Sequence, residues 1–337
     1  MNILEATNGD AERIAGLFRT VYGRTSHPCQ DPDNVRAGIG AGNEVWHIAE
    51  VGPELAGCMC VIKHRWNRSS ELGRAIILPH HRSFPLCYRL TRACLGELDS
   101  TGSTLSFCVV RSHTAYSLAN RIGGRAWTPV GHDGGRNMAN GAHEYHLYAI
   151  AKPRERQFQH LAPVRGAAAQ SLFVHDAVYA PLGLAPAGGP YPNVFFAGAG
   201  DGASDSPFRY LFDPMANAIE LSGDSGCRKT EADVARSIGL FVQRHRAAAH
   251  ISAQVLADKA ELIRTMLDTG FEITAYLPAW HCHEGTRYDC VMLVKRQRQG
   301  TLATNGFESE IDQLSAGLGT LVAEFQGSGD AALVRAA

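Results

Sequence analysis

No apolar run in the 337-residue sequence approaches the roughly 18–20 residues that a membrane span needs. Charge of one sign is missing too. Against 32 Lys and Arg stand 33 Asp and Glu, so no global field draws the chain to nucleic acid, anionic membrane or other polyanions, and any such binding has to be local. Paired metal-ligand spacing is also lacking: Cys58-x-Cys60 and His281-Cys282-His283 each want a second ligand pair, and no metal is expected. The nine cysteines are an odd count, which suits free thiols in a reducing cytoplasm better than a disulfide framework. The opening MNILEATNGDAER meets polar and acidic residues at once, without a secretory signal, so a soluble cytoplasmic protein is expected. What is there is ordinary globular composition, 45% hydrophobic and 19% charged, in a length of about two domains.

A self-comparison shows two similar stretches. Residues 104–122, TLSFCVVRSHTAYSLANRI, read as strand then helix and end at Gly123-Gly124; residues 251–269, ISAQVLADKAELIRTMLDT, repeat that order and end at Gly270-Phe271. Two strand candidates follow each. A longer amphipathic helix precedes each, with Leu86, Leu90, Ala93 and Cys94 on one face in the first half and Val234, Ile238, Phe241 and Val242 in the second. Upstream of the first helix lie strands at 46–51, 55–66 and 71–78; upstream of the second, strands at 193–200, 208–212 and 218–222 suggest the same three-strand meander. Near the start, Ile14, Leu17, Phe18 and Val21 mark a helix with its N-cap among Asn8, Gly9 and Asp10. At the end, Ile311, Leu314, Leu318, Leu321, Val322 and Phe325 mark another, which packs on the core or joins a homodimer.

Strand, helix, three-strand meander, helix, strand, helix, strand pair: this order, with ILEATNGDAERIAGLF, AIILPHHRSFPLCYRLTRACL and GFEITAYLPAWHCHEGTRYDCVMLVKR, resembles the GCN5-related N-acetyltransferase superfamily. The resemblance implies an α/β (α+β) chain with two such domains in tandem, each a mixed, mostly antiparallel sheet splayed at a V-shaped opening and flanked by helices. The expected boundaries are 1–152 and 171–298, with a linker at 153–170 and a tail at 299–337. It implies transfer of an acyl group from acetyl-CoA or another acyl-CoA to the amine of a small molecule. Two alternatives stand beside it: an aminoacyl-tRNA-dependent transferase using a basic patch such as Lys63, His64, Arg65 and Arg68, or the run Lys295, Arg296 and Arg298, and a non-catalytic ligand- or partner-binding protein.

In this family the coenzyme's pyrophosphate sits where the fourth strand meets the third helix, on backbone amides and the helix N-terminus. Arg82 and Ser83 match that loop, while Pro85 and Cys87 stand where its pattern has glycines. Leu78 marks a β-bulge amide for the acyl oxygen. Gly223, Ser225, Gly226 and Arg228 form the corresponding loop in the second half. The positions of the family's tyrosine acid are Ala119 and Met266, so Tyr116, one helical turn earlier, is the substitute. Glu71, His80, His81 and His113 in the first half and Glu220 in the second are candidate proton acceptors, because a carboxylate or imidazole is needed to take the ammonium proton. Arg287 and Asp289 are expected to form the turn between the last two strands.

Overall fold

A capping box opens the first helical segment. Thr7 Oγ1 accepts from Gly9 N at 3.3 Å while Thr7 N donates to Asp10 Oδ2 at 3.0 Å, so Thr7 caps a 3-10 turn at Asn8–Asp10, and Asp10, one of the triplet expected from sequence, is the N-cap of the helix that follows. In the computed structural model, which describes residues 1–122, 126–137, 143–152, 171–185, 190–198, 206–223, 229–297 and 302–334, the chain then forms one extended sheet with helices on both faces. The first part runs β1 (Asn2–Glu5), α1 (Ala11–Tyr22), α2 (Pro32–Gly40), β2 (Glu44–Val51), β3 (Glu54–His64), β4 (Ser69–Ile77), α3 (Phe84–Ser100), β5 (Leu105–Val110), α4 (His113–Ile122), β6 (Trp127–His132), β7 (Arg136–Asn137), β8 (His143–Glu144) and β9 (Leu147–Ala151). A π-helical segment, Phe173–Tyr179, leads into α5 (Ala180–Leu182). There follow β10 (Phe208–Asp213), β11 (Ala218–Gly223), α6 (Glu231–Arg244), β12 (His250–Leu256), α7 (Ala260–Asp268), β13 (Glu272–His283), β14 (Thr286–Arg296), β15 (Leu302–Ala303) and α8 (Glu308–Val334).

Twelve strands share the sheet in the order β1-β2-β3-β4-β5-β9-β6-β13-β14-β12-β11-β10, and β15, β8 and β7 form a small second sheet. The order of elements in the first part is the one expected from sequence, with α2 added between the first helix and the meander. From the other edge, β10-β11-β12-β14-β13 repeats β3-β4-β5-β9-β6. The two series meet where β6 and β13 pair antiparallel at Gly131 and Ala275. Only glycine fits there: Gly131 has φ +151, and a Cβ on it would lie 2.2 Å from Ala275 Cα and 2.3 Å from Thr274 O.

The amphipathic faces pack as their spacing requires. Leu86, Leu90 and Cys94 of α3 are buried, as are Val234, Ile238, Phe241 and Val242 of α6. Thr230 caps α6 by accepting from Asp233 N at 3.3 Å. On α8, Ile311, Leu314, Leu318, Leu321 and Phe325 are buried, and the helix covers the seam by packing on β6 and β13. Its stripe is therefore core.

Two expectations are corrected. Residues 193–198 do not lead the second meander, since Phe196 bridges Val255 of β12 instead. Nor do Arg287 and Asp289 form a turn: both are buried on β14, and the turn is Glu284-Gly285. The Arg287 guanidinium crosses to the foot of β4 and β5, donating to Asn67 O at 2.6 Å, Arg68 O at 3.0 Å and Thr104 Oγ1 at 2.9 Å, and also to Ala279 O at 2.8 Å. The Asp289 carboxylate accepts from Tyr179 at 2.5 Å, from Tyr276 and from Ala279 N at 2.7 Å.

Replacing Gly131 by Ala forces backbone apart at the seam, and we expect a loss of about 3 kcal/mol, the scale of a backbone conformation that an L side chain resists. Thermal unfolding of G131A should show a melting point lower by several degrees; an unchanged melting point would mean that the seam tolerates separation.

Candidate active site

Parallel strands β4 and β5 pair from Ser69 and Leu105 to Leu72 and Cys108, and then part. Beyond that point β4 bulges, with Cys60 opposite Gly73 but Cys58 opposite Ile76. Arg74 at the bulge adopts φ +54 and is anchored by Glu44 Oε1 at 2.5 Å and by its guanidinium over the Trp46 ring at 5.7 Å. The bulge lies earlier than the Leu78 expected from sequence. Leu78 N is spent on Ala56 O at 2.9 Å, so it is no oxyanion donor. Among the described residues no segment bridges β4 to β5 past the last pair.

At the mouth of the gap α3 begins at Ser83, whose side chain makes no cap bond. Pro85 takes the second helical position, where a missing N–H costs the helix nothing, although it removes one donor from an anion site. Arg82 is exposed beside it, with Nε donating to Ile77 O at 3.3 Å. The Cys87 thiol is pushed up by burial, against its own amide and Arg82, which leaves it a poor nucleophile.

The sequence-predicted proton acceptors separate in space. Glu71 lies on β4 opposite Phe107, and its carboxylate meets His64 Nε2 at 3.1 Å. His80 and His81 instead turn to the β3 side of β4, where their Nε2 atoms lie 3.3 and 2.7 Å from Glu54 Oε2. His113 holds Glu310 of α8 at 3.2 Å. Tyr116 donates to Trp127 O at 2.8 Å, and burial pushes its phenol up. These two therefore fasten α4 to its surroundings. The cations of the first basic patch are similarly engaged: Lys63 with Glu97 at 3.2 Å and Arg65 with Ala41 O at 2.8 Å.

In the second half, β11 and β12 pair in parallel as far as Leu221 and Ala253 and then part in the same way. Here the chain fills its own gap. Ala197 N donates to Gln254 O at 2.8 Å, Leu256 N to Phe195 O at 3.0 Å and Gly223 N to Ala197 O at 3.2 Å. A Cβ on Gly223 would lie 1.8 Å from Phe196 O. Gly223 is thus a packing glycine with its amide already used. Ser225, Gly226 and Arg228 lie outside the described residues.

Between the halves is a cleft of about 120 Å³. Val109, the first β5 residue beyond the last β4 pair, and Tyr148 of β9 line one part of it; Leu211, Asp213, Glu220, Ser252 and Gln254 line another. Alternation places these side chains opposite Cys108, which packs with α3, and opposite Ile251, Ala253 and Val255, which join the core under α6 and α7. Asp133 and His146 also line the cleft. His146 Nδ1 lies 2.9 Å from Asp133 Oδ2, outside the alignment of a hydrogen bond. Asp133 Oδ1 accepts from Gly135 N at 3.0 Å and from His146 N at 3.1 Å. Burial pushes the Asp133 carboxyl up, but His146 and these amides outweigh it and hold it low. His250 Nε2 meets Asp133 O at 3.0 Å. Sequence reasoning missed this pair; its trace was a histidine in the alternating run EYHLYAIA after the turn GHDGG.

No protein-family model matches the sequence, and a comparison with curated proteins finds no match. Solved structures do match. A ribosomal-protein-alanine N-acetyltransferase from Brucella melitensis covers 46% of this chain and 100% of its own, at 14% identity and a TM-score of 0.38. A putative acetyltransferase from Salmonella typhimurium, solved with acetyl-CoA, covers 46% of this chain and 94% of its own at 17% identity and a TM-score of 0.38. A spermidine N-acetyltransferase from Vibrio cholerae covers 47% of this chain and 96% of its own at 15% identity and a TM-score of 0.36.

Two imidazoles beside these elements are neutral in the fold: burial pushes His132 down to about 4, and burial with the nearby His283 and Arg287 does the same to His281. Both values lie below the 6.5 of a free histidine, so the unfolded chain binds more protons in between. Their contribution is present above pH 6.5 and is lost as pH falls toward 4, at up to about 1.4 kcal/mol per pH unit for each. Urea unfolding across that window should show falling stability with acid, and His281→Gln should shrink the slope; an equal slope in the variant would refute the assignment.

Proposed function

We propose that the chain is an N-acyltransferase of two acetyltransferase-like units in tandem, and that it moves an acyl group from an acyl-CoA, acetyl-CoA first, to the amine of a small molecule. The observation that carries this reading is the asymmetry of the two gaps. Two diverging parallel strands present unpaired backbone donors and acceptors, which suit an extended amide-bearing arm such as pantetheine. In the second half the chain's own Val194–Ala197 segment occupies that place. In the first half β4 and β5 part with no such segment among the described residues, so the donor belongs between them.

The residues at the mouth fit the donor's charge. Arg82 and the first amides of α3 face solvent together, and a helix start with an adjacent guanidinium favours a pyrophosphate. The bound thioester supplies an activated carbonyl carbon and a thiolate leaving group. The protein supplies the rest: the bulge at Gly73–Ile76 reorients β4 amides beside the parting, and Glu71 with His64 stands at the closed end of the gap. Neither needs a metal ligand.

Native mass spectrometry with acetyl-CoA should show one adduct per chain and no second at saturation. Arg82→Ala should weaken that adduct about tenfold, the scale of one charge-assisted phosphate contact. Two adducts per chain, or none at millimolar acetyl-CoA, would remove the proposed donor site.

A further inference from the structure

From the cleft between the halves we infer an acceptor site for a small organic amine that carries a second positive charge, with His146 as the group that takes the ammonium proton. This rests on the acyltransferase reading above and adds the substrate class and the proton acceptor. Three features of the geometry converge. First, the cleft reaches the donor gap: Val109 lines it and stands immediately beyond the last β4–β5 pair at Cys108. A molecule in the cleft therefore lies along the strand from which the gap opens.

Second, the lining is built from both halves and is acidic. Asp133, Asp213 and Glu220 contribute three carboxylates, against His146 and His250. The opposed wall is fixed in place by the connection between α1 and α2, where Ser26 Oγ donates to Asp213 Oδ2 at 2.7 Å. Among the described residues no Lys or Arg lines the cleft, so its field favours a cation. Its free volume of about 120 Å³ is below the roughly 300–1,000 Å³ of sites for drug-sized ligands, which suits a short aliphatic chain.

Third, the Asp133–His146 pair has the form of an oriented base. Asp133 is 6% exposed, its Oδ1 is held by two amides, and its Oδ2 faces the His146 ring at 2.9 Å. A carboxylate 2.9 Å from Nδ1 favours the tautomer that carries its proton on that nitrogen, which leaves Nε2 to accept. In the reaction, one proton passes from the ammonium nitrogen to His146 Nε2 and frees the nitrogen lone pair. That nitrogen bonds to the thioester carbonyl carbon as the C–S bond breaks, the second proton that the nitrogen sheds passes to the departing thiolate, directly or through water, and His146 returns its own proton to solvent. The titratable groups that line the cleft with His146 are Asp133 and Tyr148 on the first half, and Asp213, Glu220 and His250 on the second. Glu220, expected from sequence to serve a second active centre, is instead a wall of this shared cleft, where it holds the distal charge.

The test uses the full chain with acetyl-CoA, and 1,4-diaminobutane and n-butylamine as probes, following free thiol release. With the wild type, the diamine should be the better substrate, and kcat/KM should rise with pH along an acid limb. His146→Gln should lower kcat by 10²–10⁴-fold, the usual share of a general base, and remove that limb while acetyl-CoA still binds one to one. Glu220→Gln, at an exposed position, should raise KM for the diamine about tenfold and leave n-butylamine unchanged. If acetyl-CoA does not bind, the donor reading fails and this one with it. If acetyl-CoA binds but the acid limb persists in H146Q and disappears in E71Q, Glu71 is the base and this inference is overturned. Should acetyl-CoA bind without turnover of either amine, the deciding measurement is NMR of the His146 ring: absence of any shift with 50 mM diamine overturns the site.

Discussion

A pair of parallel strands that diverges leaves two facing rows of amides and carbonyls, and buried backbone groups do not stay unpaired without cost. The whole arrangement of this protein follows from how that requirement is met at two places. Between β11 and β12 the chain meets it internally, by threading Val194–Ala197 along β12 and taking the amide of Gly223. Between β4 and β5 the described residues provide no such strand, and a bulge at Arg74 turns β4 aside just past the last pair. One gap is thereby filled by the chain itself, and the other has no such segment among the described residues.

The closed half then acts as a wall. It is locked to the open half by the glycine seam at Gly131 and by Arg287, whose guanidinium is satisfied by carbonyl and hydroxyl oxygens from the foot of β4 and β5. Burial, with no carboxylate partner among the described residues, pushes that guanidinium down to about 10, and several hydrogen bonds are what make such a buried cation tolerable. The neighbouring Asp289 does similar work inside the second half, where two tyrosine hydroxyls and the Ala279 amide hold the π-helical segment against β13; burial nonetheless pushes its carboxyl up. These polar anchors fix the angle between the halves, and the cleft between them inherits its shape.

Much of the fold was legible because local patterns were strong. The faces of α3, α6 and α8 and the strands β2 to β5 all follow from spacing and turn residues. The helix α2 was not read, although Asp31 at its cap, accepting from Asp33 N at 2.9 Å, and Pro32 at its first position are signals of a helix start. The site was legible only in part. Glu71 could be found as a carboxylate at the start of β4, but nothing local told His80 and His81 to turn toward Glu54, 26 and 27 residues away in sequence. The Asp133–His146 pair was missed because its members are separated by a turn and a short strand pair, and His146 stands just before an otherwise apolar strand.

Sequence by itself determined the elements, their order and their buried faces, since helix and strand periodicity and capping act over a few residues. Tertiary structure alone decided that NVFFAG would run beside β12 and not beside β10, that Arg287 and Asp289 would be buried, and that Glu220 and His146 would share a cleft. These outcomes depend on partners as far apart as Asp133 and His250, 117 residues in sequence, and on which backbone groups remain unpaired once the sheet has closed.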